Sequence, residues 1–328
     1  MASARATLGV DVGGTATKAA IVAPDGQVLL RVERPTEHNA GTKGIIAVSE
    51  ELLRRSAELG VTVEAVGVGA AGFIDSETGS VTFAPNLVYD DPQIAEAVRA
   101  RVGLPVVVDN DANAAAWGER TFGAARGSDH VAYITVGTGI GSGFVVEGRL
   151  LRGFSGAGAE LGHTVIDPSG PRCGCGLRGC LEQFASGIGI ARLARAALGE
   201  DPDSSILAFA GSVETVTAED VSRAAHQYDQ TARHVLERAG AALGLGLSNV
   251  ANIFDPEVIV MTGSVVRAGE PFLGPVRDEL HRMTSAQRRR PLRLDLSTLE
   301  GDAGLIGAAR LAWEEIDPTA RDRDRVTP

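Results

Sequence analysis

The residues with the clearest chemistry lie in one short stretch: His163 and, ten residues further on, Cys173, Cys175 and Cys180 in a C-x-C-x4-C spacing. Imidazole and thiolate groups at close spacing are the ligand set of tetrahedral Zn2+. Four protein ligands leave no open coordination position, so such an ion is structural rather than catalytic. The chain has 3 cysteines in all, within eight residues of one another, which suits a metal in a reducing compartment and argues against a disulfide framework. Glu160 and Glu182 flank the cluster. A metal there would hold them in place, although a solvated surface is the commoner setting for carboxylates.

Two further groups have phosphate chemistry. Asp11-Val12-Gly13-Gly14-Thr15 follows an apolar run, and Lys18 comes three residues later. Glycine amides and the Thr15 hydroxyl can hold phosphate oxygens, and Asp11 at the end of a strand can hold Mg2+ through water. The same residues also make an ordinary hairpin, and the motif is neither a Walker A loop nor a dinucleotide fingerprint. Gly137-Thr138-Gly139 repeats the chemistry. In Asp109-Asn110-Asp111-Ala112-Asn113 a run of polar residues stands where a strand gives way to a helix, the place where ligands of α/β sheets bind. Asp111 there can accept the proton of a hydroxyl attacking a γ-phosphoryl group. It is equally suited to capping the helix.

The elements that must position these groups follow from apolar periodicity. Thr7 to Val12, Ala19 to Ala23 and Gln27 to Val32 read as a three-stranded meander. Gly41 to Leu59 reads as a helix stopped by Gly60, Ala65 to Ala70 as a buried strand, Pro92 to Val102 as a helix, Pro105 to Asp109 as a strand and Asp111 to Thr121 as a helix. Alternating strands and helices make the fold α/β. From Val131 the order strand, Gly/Thr turn, strand, turn, strand begins again, which reads as an internal duplication and places two similar domains across a cleft. Beyond residue 182 helices are expected at Glu182 to Ala197, Ser204 to Ala210, Ala218 to Gln227 capped by Thr217, and Gln230 to Phe254. Strands follow at Glu257 to Thr262 and Leu292 to Leu296, and a closing helix at Gly304 to Ile316. Trp117, on the helix that begins at Asp111, is the candidate fluorescence reporter of substrate binding.

Composition narrows the function. With 31 basic and 42 acidic residues the net charge is −11, and no basic stripe is present. Nucleic acid is therefore a poor partner, because phosphate neutralisation dominates that affinity. The one basic cluster, Arg288 to Arg290, reads as a solvated turn, and the tail from Ala320 as frayed. The longest uncharged runs are broken by Gly, Thr, Ser and Asn and fall short of the ~20 apolar residues of a membrane span. The N-terminus reaches Asp11 before an apolar signal region can form. A cytoplasmic protein is expected. The 41 glycines among 328 residues point to tight turns and close backbone approaches.

The segments LGVDVGGTATKAAIV, VVDNDANAAAWGE, ITVGTGIGSGFVVEGRLLRG, AGAELGHTVIDPSGPRCGCGLRGCLEQFASG and GDAGLIGAA resemble the ROK family of sugar kinases and repressors, its bacterial glucokinases in particular. The resemblance implies an actin/hexokinase-like (ribonuclease H-like) two-domain ATPase fold with an interdomain cleft. Its small domain would be residues 1–112, joined by the closing helix at 304–328, and its large domain residues 113–303, holding the zinc loop and the helical region. It implies ATP-dependent phosphorylation of glucose, with Mg2+ accompanying ATP, a structural Zn2+ and a homo-oligomer, dimer or tetramer. Asp111 would be the base. Gly72, Asn86, Asn110, Asp111, Glu160, His163 and Glu182 would meet the sugar, His163 with one ring nitrogen on zinc and the other toward a hydroxyl. Asp11, Gly13, Gly14, Thr15, Lys18, Thr138, Gly139 and Gly263 would meet the nucleotide. Thr262-Gly263 stands where many relatives have Gly-Gly, and Tyr89 near where many have tryptophan. The alternatives are a kinase for another hexose or for an N-acylated amino sugar such as N-acetylmannosamine, and a sugar-sensing regulator. A regulator needs a helix-turn-helix before Asp11, for which the sequence shows no room.

Overall fold

The computed structural model describes residues 3–84, 87–285 and 292–320. Asn86, the cluster Arg288 to Arg290 and the tail beyond Ala320 lie outside the described residues. In chain order the elements are β1 (Ala4–Val12), β2 (Ala16–Val22), β3 (Val28–Pro35), α1 (Gly41–Ser56), β4 (Val61–Ala70), β5 (Phe73–Asp75), β6 (Ser80–Phe83), α2 (Ile94–Val102), β7 (Val106–Asn110) and α3 (Asp111–Phe122). They continue with β8 (Val131–Val136), β9 (Ile140–Val146), β10 (Arg149–Leu150), α4 (Glu182–Ala185), α5 (Gly187–Leu198), α6 (Ile206–Ala210), α7 (Ala218–His226), α8 (Gln230–Phe254), β11 (Val258–Thr262), α9 (Glu270–Thr284), β12 (Arg293–Leu296) and α10 (Ala303–Ile316).

Packing divides the chain into two compact units, Met1–Tyr133 with Gly143–Ala159 and Ser297–Pro328, and Ile134–Ser142 with Glu160–Leu296. The division follows packing and is a different quantity from the domain boundary expected at residue 112; it assigns α3 to the first unit. Strands β8 and β9 cross it.

The two five-stranded sheets have the orders β3-β2-β1-β4-β7 and β10-β9-β8-β11-β12. Each is a meander followed by two crossover strands, so the repeated strand order read from the sequence is a repeated topology. In the first sheet β1 and β2 run antiparallel, as do β2 and β3, while β1, β4 and β7 run parallel. Register then sets the chemistry: Asp11 stands opposite Lys18 on one side and Gly69 on the other, and Gly69 stands opposite Asp109. The carboxyl ends of three strands thus carry the polar residues in one row.

Two local features depart from the expected elements. The helix read over Glu182 to Ala197 is two helices, because Ser186 is extended (φ −79°, ψ 172°) and its side chain caps α5 by accepting the Gly189 amide. The short β5–β6 hairpin was not expected; its strands of three and four residues are too short to show periodicity.

In the first unit α10 lies against the sheet on one side and α3 on the other, with every residue from Ala303 through Glu314 buried. Helix and sheet meet backbone to backbone. A Cβ on Gly67 would stand 1.8 Å from the Ala308 carbonyl oxygen, one on Gly9 1.9 Å from that of Leu305, and one on Gly307 1.7 Å from that of Ala114. The two buried charges on this helix, Arg310 and Glu314, are satisfied internally: Glu314 accepts from Arg310 Nε at 2.9 Å and from Trp117 Nε1 at 3.0 Å. Trp117 is therefore held in the core, 5% exposed.

Gly67→Ala tests this packing. A methyl group against a backbone carbonyl has no rotamer to escape into, so a loss of at least ~1–3 kcal/mol is expected. Gly44→Ala, in α1 with nothing within 4 Å, should instead gain up to about 1 kcal/mol. Thermal unfolding followed by circular dichroism measures both; a Gly67→Ala protein as stable as wild type would refute the contact.

Candidate active site

In the first unit, the strand ends of β1, β4 and β7 collect Asp11, Lys18, Gly72, Asn110 and Asp111. The cap question left open by the sequence is resolved by Asn110. Its side-chain oxygen accepts the Ala112 amide at 2.9 Å and the Asn113 amide at 3.1 Å, so Asn110 is the N-cap of α3 and Asp111 its first residue. Asn110 Nδ2 donates to the Gly72 carbonyl at 3.1 Å. Gly72 has φ of 128°, and a Cβ there would lie 2.6 Å from the Phe83 carbonyl oxygen; only glycine fits this corner. Tyr89 is a core residue, with its hydroxyl donating to the Ala71 carbonyl at 3.0 Å, and so helps fix the same corner.

Asp111 has one oxygen near the Ala112 amide, at 2.9 Å. Burial raises its pKa above the ordinary carboxylate value, against the hydrogen bonds from Ala112, its own amide and Asn110. Asp11 is pushed up to about 7, first by burial and then by the charge of Asp111, with Lys18 opposing and Asp302 adding. A Cβ on Gly304, at the start of α10, would lie 2.7 Å from the Asp11 carboxyl carbon, so this acid sits against a helix N-terminus, where negative charge is favoured. Two raised carboxylates close together are the signature of a functional site. Lys18 Nζ donates to the Gly301 carbonyl at 3.1 Å. Of the β1–β2 turn, Gly13 is pinned, its amide donating to the Ala16 carbonyl at 3.1 Å, whereas Gly14 has nothing within 4 Å of its Cβ position and Thr15 is exposed.

In the second unit the four predicted metal ligands come together. One ligand atom from each of His163, Cys173, Cys175 and Cys180 lies within 4.8 Å of all the others. Cys173 Sγ is 3.7 Å from His163 Nδ1, and Cys175 Sγ is 3.6 Å from Cys180 Sγ. Metal–ligand bonds of ~2.0–2.3 Å in a tetrahedron give edges of about 3.6–3.8 Å, so the donor set fits Zn2+. Burial raises the thiols of Cys173 and Cys180, the latter to about 12. At Cys175 burial also acts upward, but hydrogen bonds from the Leu177 amide and the neighbouring thiols outweigh it and lower the pKa.

The metal loop, Glu182 and the Gly137–Gly139 turn form one constellation. Glu182 Oε2 accepts the Ile140 amide at 3.1 Å and its other oxygen lies 3.9 Å from Cys173 Sγ. Leu161, in the turn that carries His163, donates its amide to Ser142 Oγ at 3.1 Å, and the His163 amide donates to the Glu160 carbonyl at 3.1 Å. Gly187 donates to the Gly137 carbonyl at 2.7 Å, which places the N-terminus of α5 at Gly137 and Thr138. Gly263 has φ of 107°, and a Cβ there would lie 2.2 Å from the Val136 carbonyl oxygen. Beside these residues opens a cavity of about 640 Å3, lined among others by Gly137, Thr138, Gly187, Ile188, Thr217, Ser264 and Arg267. That volume is within the range of small-molecule sites. Sequence reading missed its walls from α5 and α7. The Ser186-Gly187-Ile188-Gly189 break, with a cap followed by glycines at a helix start, was the available signal.

A repeated meander-and-crossover sheet with paired glycine turns and an acidic strand end defines an actin/hexokinase-like two-domain fold. The ROK family model matches residues 7–315, and the chain belongs to the ROK family. It is similar to the glucokinase of Thermotoga maritima, 39% identical over 94% of this chain and 98% of that protein, and to the glucokinase of Streptomyces coelicolor, 38% identical over 95% and 98%. Among solved structures, a ROK family glucokinase from Streptomyces griseus in complex with glucose and AMPPNP is 40% identical, covers 94% of this chain and 99% of its own, and superposes with a TM-score of 0.81.

The raised pKa of Asp11 has a sign that can be measured. In the unfolded chain Asp11 ionises near the ordinary 3.8 and in the folded protein near 7. The folded state thus holds the proton longer and loses stability as pH rises between those values. Asp11→Asn should raise the thermal midpoint by an amount that grows from pH about 4 to about 7 and is flat above. A pH-independent difference would remove the assignment.

Proposed function

We propose that this protein transfers the γ-phosphoryl group of ATP to the 6-hydroxyl of glucose, forming glucose 6-phosphate and ADP. One observation carries the reaction type: Asn110 takes the helix cap, leaving Asp111 as a carboxylate of raised pKa at the strand–helix junction of a ROK-family chain. The sugar follows from the full-length likeness to glucokinases, one of them solved with glucose and AMPPNP.

In this reading Asp111 accepts the hydroxyl proton as the sugar oxygen attacks the γ-phosphorus. The bond from that phosphorus to the β–γ bridging oxygen breaks, and its electron pair leaves with ADP. Gly72, Asn86, Asn110, Glu160, His163 and Glu182 are the residues proposed to meet the sugar. Gly13, Gly14, Thr15, Lys18, Thr138, Gly139 and Gly263 are those proposed to meet the nucleotide. Asp11 would hold the Mg2+ that accompanies ATP, through water, and that ion supplies charge neutralisation on the phosphate oxygens. His163, Cys173, Cys175 and Cys180 would hold Zn2+, which supplies an anchor for the loop. With Nδ1 turned to the thiols, His163 keeps Nε2 for a sugar hydroxyl. A cytoplasmic setting belongs to the same reading, since the three thiols must stay reduced. The expected homo-oligomer is read by sedimentation. Among the described residues no helix is long and apolar enough to cross a membrane.

A coupled assay over a panel of sugars and phosphoryl donors tests the activity. Glucose with ATP should give the highest kcat/KM, and a protein that prefers an N-acylated amino sugar or polyphosphate overturns the reading. Asp111→Ala should lower turnover ~10²–10⁴-fold while glucose binding by calorimetry persists; turnover above about a tenth of wild type would remove Asp111 from the role.

Elemental analysis should find one zinc per chain. Cys175→Ser should lose zinc and glucose affinity together, because the ligands couple loop order to the metal. Metal-free wild-type protein of full activity would refute the site.

A further inference from the structure

Strand β7 ends on Asp109 and Asn110 and α3 begins with Asp111, and the proposed reaction uses the second and third of these. The first, Asp109, is 2% exposed and has no part in the chemistry. Its carboxylate nonetheless holds the junction together. Oδ1 accepts the Asn110 amide at 2.8 Å and Asn113 Nδ2 at 3.0 Å, while Oδ2 receives Arg152 Nε at 2.7 Å.

Arg152 comes from far along the chain, just past β10, and its side chain is 31% exposed. Its segment is closed by the Gly158 amide donating to the Arg152 carbonyl at 3.0 Å. It also lies hard against β5, where a Cβ on Gly156 would be 2.0 Å from the Ile74 carbonyl oxygen. Arg152 is thus held at both ends, its backbone in a closed loop and its guanidinium on Asp109. A buried carboxylate that loses its cation is left with a charge nothing offsets, and it would be free to turn. Because Oδ1 spans the first turn of α3, any turn of Asp109 moves Asn110 and, with it, Asp111.

We infer that Arg152 is a positioning residue for phosphoryl transfer, acting through its ion pair with Asp109 to fix the turn from β7 into α3 and so the aim of the Asp111 carboxylate. The inference rests on the reading of Asp111 as the base. In this reading Arg152 acts through Asp109 rather than on substrate, so its effect belongs in kcat. A displacement of the reacting group by ~1 Å can cost on the order of 10²-fold in rate. The directional Nε contact distinguishes arginine from lysine, which keeps the charge and loses the planar fork.

The experiment compares the full-length wild type with Arg152→Met, Arg152→Lys, Asp109→Asn and the Asp109→Asn/Arg152→Met double variant, each checked for folding by circular dichroism. Arg152→Met should lower kcat about 10- to 100-fold, on the scale of such misplacements, with KM for glucose and ATP within about twofold. Arg152→Lys should fall between it and wild type. The double variant should be at least as active as Arg152→Met, because the unpaired charge is gone. If Arg152→Met fails to fold, the Lys and double variants test the same point through the kcat split and the recovery. Unchanged kcat, losses that appear in KM, or losses that multiply in the double variant overturn the inference alone. Absence of phosphoryl transfer by the wild type to any sugar would take down the reading of Asp111 and this inference with it.

Discussion

A helix laid directly on the backbone of a sheet is the constraint on which the first unit depends. The carbonyls of Leu305 and Ala308 on α10 sit where the Cβ atoms of Gly9 and Gly67 would be, and Gly307 makes the matching approach to α3. Interiors pack as densely as crystals, so such a contact admits no added methyl. The spacing has a consequence for chemistry, because it brings the first turn of α10 to the Asp11 carboxylate, where Gly304 leaves just enough room. The same glycines that thin the core therefore set the depth of the acidic strand end. The high glycine content of the sequence is in this unit largely a requirement of close approach rather than of turns.

The acidic strand end is unfavourable for stability, and it is where the proposed chemistry would sit. Burial raises the proton affinity of both Asp11 and Asp111, and the charge of Asp111 raises that of Asp11 further. At Asp11, Lys18 and a helix N-terminus act in the other direction, and at Asp111 the hydrogen bonds from Ala112, its own amide and Asn110 do. Such tension persists where surrounding structure over-determines it, and here the surroundings are explicit: Asn110 as cap, Asp109 tied to Asn113 and Arg152, and Tyr89 fixing the corner at Gly72. In the second unit rigidity has another origin. The loop from Glu160 to Leu181 has little regular structure and gathers four soft donors, with Glu182 bonded to the turn at Ile140. A metal held by that cluster would do for the loop what a core does for a helix.

Much of this was legible in the sequence because the information was local. Apolar alternation marked the meanders, Gly60 ended the 3-10 turn Ala57–Leu59 that follows α1, Thr217 capped α7 and the C-x-C-x4-C spacing marked the candidate metal ligands; each depends on a few neighbouring residues. The repeated order of strands and glycine turns also announced two sheets of one topology. Ser186 shows the limit of periodicity, since apolar spacing runs on through α4 and α5 while a single extended residue breaks the helix to hand its side chain to Gly189.

What only the tertiary structure decided concerns contacts between residues distant in the chain. Whether Asp111 caps its helix or stands free for chemistry turned on the rotamer of Asn110, which is set by the Gly72 carbonyl 38 residues away. The pairing of Arg152 with Asp109, the locking of Trp117 by Glu314 and the value near 7 at Asp11 arise the same way. By itself the sequence determined which residues could do chemistry and on which elements they stand, because residue type and periodicity are properties of the chain. Their protonation and orientation were decided by burial and by partners that only the folded chain brings within hydrogen-bonding distance.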